Sequence, residues 1–129
     1  MEFKFELLPE KKMAMVKMTG LQDIDKFTAF YRELIIEIEG KGIRSILWDA
    51  RELDVSHLTI DQINYGLMSI KNRLSSRKGG KAAWVVNDNY SFGVARMFQN
   101  MADGQMLFNG QFEFEIFKDF KKAEEWLCE

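Results

Sequence analysis

The apolar residues of this chain change rhythm repeatedly, and that alternation limits what it can fold into more than any single motif does. Residues 3–8 and 13–18 alternate apolar and polar side chains with the period of two that suits half-buried strands. Between them Pro9-Glu10-Lys11-Lys12 presets a turn and stops the first ladder, so a β-hairpin is predicted. From Asp23 the apolar positions fall at threes and fours, through Ile24, Phe27, Tyr31, Leu34, Ile35 and Ile38, which places them on one helical face. Gly40 and Gly42 end that helix.

The two rhythms keep exchanging along the rest of the chain. Residues 43–48 form a short branched apolar run between Gly42 and the charged cluster Asp49-Ala50-Arg51-Glu52, as a buried strand would. Thr59-Ile60-Asp61-Gln62 has capping-box spacing and opens a helix carrying Ile60, Ile63, Leu67, Ile70 and Leu74. Gly79-Gly80 breaks it, and residues 82–86 give another buried strand before Asn87-Asp88-Asn89. Ser91 is read as the cap of a third helix ending at Gly104. Phe112, Phe114 and Ile116 then alternate with Glu113 and Glu115, and Asp119 caps a last helix bearing Phe120, Ala123, Trp126 and Leu127.

The predicted order is β-β-α-β-α-β-α-β-α, an α/β fold with a mixed sheet, an N-terminal β-hairpin and helices packed against it. Helices that link successive later strands imply parallel strands joined by right-handed crossovers. No repeat, low-complexity tract or linker interrupts residues 1–129, so a single domain is expected. A hydrophobic content of 47% is enough for a core without covalent staples.

Composition removes several function classes. With 18 basic and 20 acidic residues well mixed, no global field draws the protein to nucleic acid or an anionic membrane. Cys128 and His57 are the only cysteine and histidine, so neither a disulfide framework nor a Cys/His zinc site is expected, and no cofactor is implied. The start Met1-Glu2-Phe3-Lys4-Phe5-Glu6 does not read as a signal peptide, and no run approaches the roughly 18 apolar residues of a membrane span. A cytoplasmic protein without integral membrane association is expected.

Two regions stand out as candidate sites. If the strands at 43–48 and 82–86 are parallel, Asp49, Arg51, Asn87 and Asp88 emerge at one carboxyl edge of the sheet, where open α/β sheets bind ligands. The same residue types also serve helix caps and turns. Asp49 and Asp88 could supply paired carboxylates, but nothing in the sequence sets their separation, and His57 lies in a polar loop without a Gly-x-Ser-x-Gly elbow. The sequence therefore leans away from an enzyme. The second region runs from Phe92 to Phe108, where Val94, Met97, Phe98 and Met101 exceed one helical face. Self-burial, contact with a protein partner or a second copy through residues 91–108, and a small apolar pocket lined by Phe92, Met97, Phe98, Met101 and Phe108 all remain open. A basic run, Lys71, Arg73, Arg77, Lys78 and Lys81, suits either an anionic partner or a helix C-terminus.

The opening hairpin, Ile46-Leu47-Trp48-Asp49, Lys81-Ala82-Ala83-Trp84-Val85-Val86, Ala95-Arg96-Met97 and the tail from Phe117-Lys118-Asp119 to Ala123, Trp126 and Leu127 resemble, in order and spacing, the STAS/SEC14-type domains. The likeness is to the SpoIIAA-like branch of small stand-alone bacterial proteins. It implies a sheet covered by helices on one side and a non-enzymatic binding or regulatory role, either through protein partners or through an apolar or lipid-like ligand. Relatives that act as anti-sigma-factor antagonists are phosphorylated on a serine within Asp-Ser-Ser-Gly. This chain reads Asp54-Val55-Ser56-His57-Leu58-Thr59 instead, which leaves Ser56 or Thr59 as phosphorylation candidates, since phosphate gains from free amides at a helix start.

Overall fold

A computed structural model of the protein describes every residue except 76, 78 and 108–111, and describes 74 and 75 without their side chains. Strand β1 (Glu2–Leu8) turns through a short 3-10 segment, Pro9–Lys11, into β2 (Met13–Leu21). The two pair antiparallel from Leu8↔Met13 to Glu2↔Thr19, which is the expected hairpin. Lys12 closes the turn in the left-handed region at φ 55°, its N–H donating to the Pro9 carbonyl. Then follow α1 (Ile24–Ile38), β3 (Ser45–Asp54), α2 (Ile60–Ser75), β4 (Lys81–Val85), α3 (Asn89–Gly104), β5 (Glu113–Phe117) and α4 (Phe120–Leu127). The sheet runs β1-β2-β3-β4-β5, with every pair after the hairpin parallel.

The helix starts are chemically specified. Asp23 accepts from the Lys26 amide and Asp119 from the Lys122 amide, each satisfying a donor that the first turn leaves free. Thr59 and Gln62 form a reciprocal box: the Gln62 amide donates to Thr59 Oγ1 at 3.1 Å, and the Thr59 amide to Gln62 Oε1 at 2.9 Å. At α3 the expectation is corrected. Asp88, not Ser91, is the cap, and the Ser91 amide donates to Asp88 Oδ1 at 2.7 Å. The carboxylate three residues earlier catches the amide of the serine, so the helix begins a turn sooner.

Strand β3 also outruns its predicted end at Trp48. The Asp49-Ala50-Arg51-Glu52 stretch, read as the strand's boundary, lies within the strand. After a register shift between Lys17 and Thr19, β2 continues to pair through Leu21↔Asp54, and the exposed Arg51 neutralises the buried Asp49 through a bidentate pair.

Pleat alternation divides the core in two. Ala14, Val16, Ile46, Trp48 and Ala82 face the layer of α1, α2 and α3, where Tyr31, Leu34, Leu67 and Ala102 are buried against them. Met13, Leu47, Ala83 and Val85 face the other way and are covered by Ala123, Leu127, Phe120 and Trp126 of α4. Helices thus occupy both sides of the sheet, not the single side implied by the resemblance. The cause is elementary: right-handed crossovers between consecutive neighbouring strands put their helices on one face, while parallel strands rich in Leu, Ala and Val need covering on both.

Aromatic rings fill the three-helix side. Tyr31 stacks on Trp48 with centroids 6.0 Å apart, Trp48 lies 5.9 Å from Trp84, and Phe3 of the hairpin stacks on Phe30 of α1 at 4.1 Å. Leu47, fully buried against α4, is expected to lose about 2–5 kcal/mol of stability on truncation to alanine. Phe5→Ala, at a side chain 49% exposed, should cost distinctly less in the same denaturant titrations.

Candidate functional site

Small residues leave a gap where α1, α2 and α3 meet the carboxyl half of the sheet. Ala50 of β3, Gly66 of α2 and Ala95 of α3 line an apolar cavity of about 90 Å³, walled by Ile63, Leu67, Trp84, Val94 and Phe98. A second void of about 30 Å³ lies against Tyr31, Trp48 and Phe112, and Phe27, Ile70, Trp84, Phe98 and Phe114 line both. Gly66 allows α1 to approach closely, since a Cβ there would sit 3.3 Å from Ile24 Cγ2. On α3, Ser91, Val94, Ala95 and Phe98 recur at threes and fours and so share the face turned to the gap.

The polar members of the wall are few. Among the described residues that line it, Gln22 and Ser91 carry an amide and a hydroxyl, and Trp84 adds an indole N–H. Gln22 is held from both sides: its backbone N–H donates to the Asp54 carbonyl at 2.9 Å, and His57 Nε2 lies 2.7 Å from the Gln22 backbone carbonyl oxygen. A carbonyl can only accept, so the contact requires the proton on Nε2. Outside this point lies an open polar cleft that includes Asp23, Asp25, His57, Gln62 and Tyr65 and shares Gln22, Ile24 and Leu58 with the cavity. Within it Tyr65 donates its hydroxyl to Asp25 Oδ1 at 3.0 Å.

The carboxyl-edge residues do not converge. Asp49 is 8% exposed and binds Arg51 through both carboxylate oxygens, at 2.8 and 2.9 Å, while the Arg51 guanidinium rests 4.8 Å above the Phe120 ring of α4. Asp88 belongs to α3 on the opposite face and is committed to its first turn, and Asn87 is exposed. The two carboxylates assigned to a shared edge are thus committed to different partners. Burial raises the Asp49 pKa, but its hydrogen bonds from Arg51 outweigh that effect and hold the carboxyl below its ordinary value. Hydrogen bonds from Ser91 hold Asp88 low in the same way.

Of the described residues assigned to an apolar pocket, only Phe98 lines the cavity. Phe92 is half-buried beneath Lys118, whose Nζ is 5.5 Å from its ring, and Met101 packs on the three-helix core. Met97 is half-buried and Phe108 lies outside the described residues. The helical phase explains the difference: Phe92 and Met97 sit off the stripe that carries Val94, Ala95 and Phe98. Ser56 lies in the loop before α2, its amide donating to Asp54 Oδ1, and the Thr59 hydroxyl is engaged in the capping box. The basic run is not one surface. Arg77 is buried, donating to the Arg44 carbonyl; Lys81 donates to the Trp126 carbonyl; and Lys78 lies outside the described residues.

Gln22, Ala50, Gly66 and Ser91 were not singled out as site residues from the sequence. Gly66, inside a strongly periodic helix, was the one local signal, because a glycine there marks close packing.

No protein-family model matches the chain, and no curated protein matches it by sequence. Among the described residues no helix is long and apolar enough to cross a membrane, and no three acidic, His or Cys side chains cluster as metal ligands.

The lowered Asp49 pKa sets a pH dependence. Its contribution to stability is present above the ordinary value of 3.8 and is lost as the pH falls through the lower folded value. Asp49→Asn is therefore expected to destabilise the protein by on the order of 1 kcal/mol near neutrality, with Arg51 partly exposed. The gap to wild type should close on acidification below 3.8 in urea titrations across pH.

Proposed function

We propose that the protein is a non-enzymatic cytoplasmic binding module of STAS/SEC14 type that holds a small, predominantly apolar molecule between α1, α2 and α3. The observation that carries this reading is the cavity beside Trp84 and Phe98, apolar over nearly all of its wall and set at the carboxyl half of a parallel sheet. The resemblance of the strand and tail segments to the SpoIIAA-like branch supports it independently. Side chains that could have supplied a reaction are occupied: Asp49 by Arg51, Asp88 by the start of α3.

Contact with a protein partner or a second copy through residues 91–108 is less well supported. Ala95, Gln99 and Ala102 are buried, and Phe92, Met97, Phe98 and Met101 are half-buried, so α3 spends most of its apolar surface on its own chain. Gln99 fastens the helix by donating to the Phe114 carbonyl of β5 at 2.8 Å.

An apolar cavity of about 150 Å³ takes benzene or xenon, and at about 90 Å³ this one suits the smaller of the two. Xenon is expected to shift the methyl resonances of Ile63, Leu67 and Val94, and Ala50→Leu, which fills the gap from the sheet side, should abolish those shifts. Native mass spectrometry of freshly purified protein reports any retained ligand directly. Methyl resonances indifferent to xenon would refute the reading.

A further inference from the structure

Gln22 occupies a position where packing alone would favour a hydrophobe. It directly precedes the Asp23 cap of α1, and an apolar side chain there ordinarily packs against the fourth helical residue, here Phe27. Gln22 and Phe27 both line the cavity, yet the position carries an amide. Gln22 is only 7% exposed, and its Oε1 is buried with no hydrogen-bond partner among the described residues. Thr28 Oγ1 and Arg77 Nε are also unpartnered among the described residues, but neither residue lines the cavity.

An acceptor left dry and unpaired is penalised by the full loss of its hydration. The Gln22 backbone has no freedom to relieve this, being tied to the Asp54 carbonyl on one side and to His57 on the other. The side chain does: the terminal torsion of glutamine is broad, so a modest rotation presents Oε1 to the cavity without moving the main chain.

The geometry points to Gln22 as the residue that selects the ligand, and it rests on the reading of this cavity as a binding site. The ligand is a small apolar molecule bearing one N–H or O–H donor, which meets Gln22 Oε1 while its apolar body lies against Ile63, Trp84, Val94 and Phe98. A carboxylate ligand is disfavoured, because it brings a charge and only acceptors to an apolar wall with an acceptor at its end. Ser91 also lines the wall, and its hydroxyl is a secondary contact for the same polar group.

Pyrrole and furan test this, being matched five-membered rings of which the first donates through N–H and the second only accepts. Titrations followed on the Trp84 indole and the Ile63 and Val94 resonances should show pyrrole binding the wild type about fivefold or more tightly than furan. In Gln22→Leu the ratio should fall to about one, with furan bound at least as well as before, and thermal denaturation of this variant should show no loss of stability. Equal affinities in the wild type would overturn the role of Gln22 while leaving the cavity a binding site. Tighter furan would show the amide presenting its N–H instead, which also overturns it. If neither ring binds but xenon does, a donor-bearing ligand of this size is ruled out; if xenon fails as well, the cavity reading falls and takes this inference with it.

Discussion

A parallel strand buried in the middle of a sheet must be covered twice, and β3 and β4 impose that requirement on everything around them. Leu47, Ala83 and Val85 point one way while Ile46, Trp48, Ala82 and Trp84 point the other, so neither face can be left to water. Three crossover helices settle one face. Only α4, which follows the last strand and is free of any crossover, remains to cover the second, and its Ala123 and Leu127 are buried there. The short terminal helix is consequently a structural necessity of the central strands.

The same division decides where polar groups meet. Asp49 and Arg51 extend the α4 side of β3, while Asp88 starts α3, a helix of the other layer, so residues near the strand ends are committed to different helices. Their environments also stabilise them as fixed ions: each carboxylate is held below its ordinary pKa by its own partner. A group that stays charged across the working range is suited to holding structure and poorly suited to exchanging protons.

The cavity has a different origin. Trp48, Tyr31 and Trp84 fill the centre of the three-helix side, whereas Ala50, Gly66 and Ala95 meet at its carboxyl end with little side-chain volume. Large rings in one layer and small residues in the next leave space that no neighbour reaches. Gly66 adds to this by drawing α2 against Ile24 of α1, which leaves α3 to close the opening with Val94 and Phe98.

Local chemistry made much of this legible in the sequence. The hairpin around Pro9, the capping box of Thr59 and Gln62, the cap at Asp119, and the order of strands and helices follow from periods of two and of three to four and from donors that the first turn of a helix must satisfy. Those interactions span a few residues, so a few residues specify them. The continuation of β3 through Asp49-Ala50-Arg51-Glu52 depended on pairing with β2, and the start of α3 on Asp88, three residues before Ser91, serving as the cap. The cavity was further still from view, because Ala50, Gly66 and Ala95 come from three separate elements and Gln22 from the link between β2 and α1. Periodicity assigns each of them to a face, but whether the faces fill the space between them is a property of volumes brought together only by the tertiary fold.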